Sequence, residues 1–263
     1  MGILSNLRSK AKEKIADSTK NLREQTKSIK NRFDIMADKL AKFFKSKGYT
    51  DKYNLWDAIH NNEIGKLKGK KDRDRKAIQW VKEFSKNKSA QIKGKMLEPS
   101  MLYMFNYDTP KYEDTLDFFD TQPLVLVMGV VKTKNGLREI GINMHLLPEQ
   151  IRKLVLFKVY NVYKINYNNA LRNGQDTNFR ISWKQILGIT KDLGSGFAVR
   201  MYIPELRKNV IKFPIDQWER AIWIPTKGYA KVTPQQLERK WREFINNAKK
   251  SASQRIASSD SHL

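Results

Sequence analysis

The chain has 263 residues and no cysteine, which excludes disulfides, thiolate catalysis and cysteine-ligated zinc and suits a reducing compartment. Its 51 Lys and Arg against 27 Asp and Glu leave a formal charge of +24, an excess that favours a polyanionic partner because each neutralised phosphate releases condensed counterions. The longest apolar run, Pro123 to Val131, falls far short of the roughly 20 residues of a membrane helix, and the start MGILSNLRSK lacks a secretory signal's apolar stretch, so neither export nor membrane insertion is expected.

Residues 1–95 carry 26 basic and 11 acidic side chains, most of the excess. Within them, residues 3 to 47 lack Pro and Gly and repeat an apolar residue every seven, at Ile15, Leu22, Ile29, Met36 and Phe43. This predicts a long basic helical arm over 1–47 that packs on another protein or lies along DNA. A basic helical hairpin is expected over 48–95: Leu55, Trp56 and Ile59 make one apolar face, and Ile78, Val81 and Phe84, with Trp80 beside them, make the other. Between the faces runs a loop from Gly65 to Lys76 carrying Lys66, Lys68, Lys70, Lys71, Arg73, Arg75 and Lys76. Glycines and cations together make a phosphate-contacting turn, although the Gly spacing is not that of a nucleotide-binding P-loop. Trp80 is the exposed aromatic expected to stack on a terminal base pair.

From Met96 onward the pattern turns to strands, at Leu102–Tyr107 and Leu124–Val131, with Asn135-Gly136 as a hairpin signal into Arg138–Met144. Pro148-Glu149 opens a helix running towards Leu171, and a short helix follows around Trp183 to Leu187. Two more strands, Phe197–Ile203 and Val210–Phe213, precede a helical stretch Ile215–Ile222 and a last helix capped at Thr233-Pro234. Strands grouped between helices argue an α+β fold, a small mostly antiparallel sheet or barrel covered by helices, with a core domain over 96–250. The Ser-rich tail, 251–263, is expected to be disordered.

Catalytic signals are sparse. His60, His145 and His262 are too few and too scattered for a metal or triad set, and His145 reads as a packed, hydrogen-bonded side chain. Carboxylates cluster at Asp108, Glu113, Asp114, Asp117 and Asp120. Such a loop can gather a divalent ion in a nuclease, or balance a basic neighbour, and here no Glu-x-Lys completes the nuclease pattern. No metal, cofactor or catalytic residue is therefore assigned.

The order Tyr103-Met-Phe105-Asn-Tyr107-Asp108, an acidic-aromatic loop ending Asp120-Thr-Gln-Pro123, then Gly141-Ile-Asn143-Met-His145-Leu-Leu-Pro148 and Trp218-x-x-x-Ile222-Trp-Ile-Pro225 resembles the DNA end protector (head-completion) proteins of T-even-like tailed bacteriophages. The resemblance spans roughly residues 96–246. It departs from the family pattern at Phe118-Phe119, where Tyr-Tyr is usual, and at Leu146, where an aromatic is common. It implies a non-enzymatic virion protein, in the capsid interior or neck and in the host cytoplasm during assembly and after injection. That protein would bind the ends of linear double-stranded DNA and shield them from host exonuclease. It would also help complete the head beside portal or neck proteins. Tyr103, Phe105, Tyr107, Asp108, Asp120, Pro123, Asn143, His145, Pro148 and Trp218 are the positions that carry the motif, with no role implied for any of them. The seven-residue seam also fits a structural head or neck protein that touches DNA only incidentally.

Overall fold

A computed structural model describes residues 55–92, 94, 96–107, 118–173, 181–226 and 233–260 of the chain. The expected arm, 1–47, lies outside the described residues, as do Asp108, Glu113, Asp114 and Asp117 of the acidic loop.

The sheet grows from a hairpin. β3 (Leu124–Thr133) is buried without interruption over its first five residues and then alternates, so its start runs through the core and its end reaches the surface. It turns through Lys134 and Asn135 into β4 (Gly136–Asn143), where Gly136 takes φ +100. β2 (Leu102–Tyr107) pairs with β3, and β6 (Arg207–Phe213) with β2. The two-residue β1 (Gln91–Ile92) and β5 (Val199–Tyr202) form the edges. The order is β1-β6-β2-β3-β4-β5, every pair is antiparallel, and the sheet stays open, so it is a sheet and not a barrel. Two bulges interrupt the register. One adds a residue to β3 between Val127 and Gly129. The other sets two residues of β6, Asn209 and Val210, against Phe105, with Asn209 at φ +53.

The strand period of two divides the apolar side chains between the faces. One face carries an aromatic core of Tyr103, Phe105, Tyr107, Phe119 and Tyr202 with Val125 and Val127. On the opposite side Phe213, fully buried, meets Trp80 and Phe84 of α2 (Lys70–Phe84) at ring centroid distances of 5.7 and 5.5 Å. The central helix α3 (Glu149–Arg172) is buried almost all round from Ile151 to Tyr160, which makes it a core element. α4 (Trp183–Thr190) starts on a reciprocal capping box between Ser182 and Gln185.

The helical hairpin does not stand apart from the core. Asn62, just after α1 (Leu55–Asn61), donates to the backbone oxygen of Glu219 in α5 (Trp218–Ala221) at 2.8 Å, and Trp223 Nε1 donates to Ile59 O at 3.1 Å. The described strands and these helices, α1 and α2 included, belong to one compact unit.

α6 runs from Pro234 to Asp260. It therefore continues well past Ser251, where the sequence suggested a disordered tail. No Gly or Pro follows Pro234, and serine on a solvated helix face costs only a few tenths of a kcal/mol per residue. The helix docks where Gly194, at φ +67, leaves room: a Cβ there would stand 2.7 Å from Ile245 Cδ1. Trp241 Nε1 donates to Leu193 O beside it. Among the described residues no helix is long and apolar enough to cross a membrane.

Candidate nucleic-acid interface

The basic segment is only half loop. α2 begins at Lys70, so Lys70, Lys71, Arg73, Arg75 and Lys76 lie on its first two turns, and Lys66 and Lys68 remain in the loop. Helix-forming Lys and Arg, with Asp72 in the first turn against the helix dipole, explain why a charge run reads as helix here. The N-cap, Gly69, supplies no side-chain hydrogen bond, which leaves the first-turn amides uncapped by it.

These cations fall into two groups. Lys70 pairs with Asp74 at 2.8 Å, Arg75 with Asp72 at 2.9 Å and Lys76 with Glu63 at 3.6 Å. Lys66, Lys68 and Lys71 are exposed and make no ion pair among the described residues. Arg73 belongs to neither group, because it turns inward. Its guanidinium donates to the carbonyls of Leu67 and Lys68, sits 3.8 Å from Glu149 and lies over the Trp223 ring. It holds the loop in shape.

Beneath it lies a charge cluster around one buried lysine, with no signature in the sequence. Lys153, its side chain 2% exposed, reaches Glu149 at 2.9 Å and stands 3.9 Å from the Trp223 ring centre. Burial lowers the Lys153 ammonium below the ordinary lysine range, against the opposing pull of Glu149. The cluster fixes α2 to α3 and to the segment after α5, so the exposed lysines stand on a rigid base.

Trp80 is not a free stacking platform. It is half-buried, and its ring is engaged with Phe84 at 5.3 Å and Phe213 at 5.7 Å. An aromatic residue three turns into an amphipathic helix found the core, which the lone sequence position could not show.

The described motif positions are buried, except for the half-buried Pro148. Tyr103, Phe105 and Tyr107 build the aromatic face, Pro123 is buried at the start of β3, and Pro148 accepts from Arg152 N in the first turn of α3. Trp218 is fully buried and donates to Phe213 O at 3.1 Å. Asp120, Asn143 and His145 form one hydrogen-bonded network: Asp120 Oδ2 meets His145 Nδ1 at 2.8 Å and accepts from Asn143 Nδ2, while Asp120 Oδ1 accepts from Gln122 N. His145 Nε2 faces the carbonyl of Ile224 at 3.1 Å, so the ring spans from Asp120 on one side to the backbone of the 224 segment on the other. The histidine thus ties the β2–β3 connection to the 224 segment.

A second buried pair, Arg207 Nε and Glu139 Oε2 at 2.9 Å, crosses from β6 to β4 under the aromatic face. Burial pushes the Glu139 carboxyl up, opposed by the Leu97 N–H and by Arg207. Among the described residues no three His, Asp or Glu side chains are grouped to hold a metal ion.

No curated protein and no solved structure matches the chain significantly. A family model, described as phage T4 terminal DNA protecting protein, matches residues 62–243. The match reaches back beyond residue 96, where the ordered motifs begin, and takes in the basic loop and α2. It covers well over half of the sequence, so this chain belongs to the phage T4 terminal DNA protecting protein family.

Proposed function

We propose that the chain is a virion protein that binds the ends of linear packaged double-stranded DNA and shields them from host exonuclease. The observation that carries this reading is the set Lys66, Lys68 and Lys71, exposed and unpaired among the described residues, around a helix start whose N-cap makes no side-chain bond. Lysine and first-turn amides hold phosphate oxygens directly. The charge of +24 supports the same partner, and the family description supports the terminus as its place of action. Shielding an end requires occupancy and no turnover, so the protein is not an enzyme in this reading. It acts in the capsid interior or neck and in the host cytoplasm after injection, and it helps complete the head through portal or neck proteins.

The test is exonuclease digestion of a labelled linear duplex, with covalently closed circle as binding competitor at near-physiological salt. Protection that survives excess circle is the expected result. Protection erased by circle, or absent, supports the second reading, a structural head or neck protein, which the seven-residue seam from Ile15 to Phe43 favours.

A further inference from the structure

Phosphate contacts hold a duplex anywhere along its length, so they give affinity without preference for an end. Preference needs a site for something only an end can offer. Between α2 and the β1-β6-β2 part of the sheet lies a cleft of about 840 Å³, within the range of small-ligand sites. Ile78 and Val81 of α2 face Met104 of β2 and Ile211 of β6 across it, which supplies apolar walls. Half of its polar lining is amide: Gln91, Asn106, Gln122 and Asn209.

Two of these amides form a ready-made recognition edge. Gln122 Nε2 donates to Asn106 Oδ1 at 2.8 Å. That bond leaves the Gln122 carbonyl oxygen and the Asn106 amino group, one acceptor and one donor on two residues of the cleft lining, without partners among the described residues. A nucleobase edge with an amino group beside a ring nitrogen, as in adenine or cytosine, is its complement. A third amide is placed by strain: Asn209 takes φ +53 in the β6 bulge and lines the cleft there. Lys82 and Glu205 are the charged side chains at the rim, whereas Arg207 is tied to Glu139.

We propose that this cleft takes the base of a terminal nucleotide unpaired from the duplex end. The inference rests on the end-binding reading and states what at the end is recognised. A terminal pair opens at little cost, while an internal base must be pulled from two stacked neighbours, so a base-sized cleft discriminates ends from interior.

The experiment uses the full chain and duplexes carrying 2-aminopurine, an adenine analogue that brightens when unstacked, either at the terminal or at a central position. Among the described residues no aromatic side chain lines the cleft to quench it. On saturation the terminal label brightens about threefold or more, and the central label stays near its starting emission. Asn106→Asp keeps the shape and the bond from Gln122 but replaces the donor by an acceptor, and Gln122→Leu removes the acceptor. Each abolishes the terminal rise, with overall duplex affinity kept within about threefold. A terminal label that stays dark with wild-type protein, or brightens equally with both variants, overturns the proposal. Exonuclease protection measured on the same samples separates the two readings. Protection without the terminal rise sinks the cleft alone, and loss of protection in the wild type sinks end binding with it.

Discussion

Replacing Lys66, Lys68 and Lys71 together by alanine removes the cations of the loop and first helical turn that no carboxylate neutralises among the described residues. If each holds one phosphate, each contributes about 0.9 to the slope of log affinity against log salt, and the triple variant loses about 2.7 of that slope. At 0.15 M salt the same relation makes each contact worth about fivefold, so duplex affinity falls about a hundredfold. The side chains are exposed, and the melting temperature should stay within about 2 °C. Lys70→Ala with Lys76→Ala is the matched control, because those ammonium groups already face Asp74 and Glu63. It should move the slope by less than about one unit. Fluorescence anisotropy of a labelled duplex across a salt series reads both variants. A triple variant with the wild-type slope, or a control that loses as much as the triple, would refute the division into paired and unpaired cations.

Asp120→Ala takes the carboxylate away from the buried Asn143 amide and His145 ring and from the half-buried Gln122 N–H, and should cost about 3–5 kcal/mol in urea unfolding. A loss below about 1 kcal/mol would show that the network does not hold the 224 segment. Burial pushes the Tyr103 phenol up to about 12. The folded chain therefore keeps a proton that the unfolded chain releases near 10, and this part of the stability, about 2–3 kcal/mol, is present below pH 10 and lost as pH rises towards 12. Tyr103→Phe should flatten stability against pH in that window, and an unchanged alkaline loss would assign it elsewhere. Gly194→Ala forces a side chain into φ +67 against Ile245 and should cost about 1–3 kcal/mol. Limited proteolysis should then cut within 234–260 before the sheet, and cleavage spread evenly over the chain would argue against a local docking role.

Long apolar runs made the sheet legible. The uninterrupted stretch that became the start of β3 and the hairpin into β4 follow from periodicity and turn chemistry, as does the helix opened at Pro148. β1 was not legible, because two residues carry no period. The start of α2 was hidden for a different reason: a charge run is soluble in either conformation, and only the helix dipole and side-chain pairing at Lys70–Asp74 decide it. Tertiary partners were the least readable. Asn62 meets Glu219 across 157 residues of sequence, and Lys153 looks like any surface lysine until Trp223 and Glu149 close over it. The loop lysines could be named from sequence, but only geometry separates Lys66, Lys68 and Lys71 from an Arg73 turned inward.

The residues that carry the family pattern and the residues proposed to hold DNA are different sets. Asp120, Asn143, His145 and Trp218 are buried and bonded to one another or to backbone, so their identities are dictated by packing and hydrogen-bond geometry. The lysines of the loop are exposed, where several side chains serve equally well and one position can stand in for its neighbour. Likeness to the family therefore travels with the scaffold, through Asp120 and His145, while the proposed DNA contact rests on the charge of the exposed loop lysines. The cleft joins the two, because Asn106 and Gln122 sit next to the buried network: the Gln122 backbone N–H donates to Asp120 and the Gln122 side chain donates to Asn106. A chain that kept its fold motif but lost this amide pair should still bind duplex through the loop lysines, and bind its interior as readily as its ends.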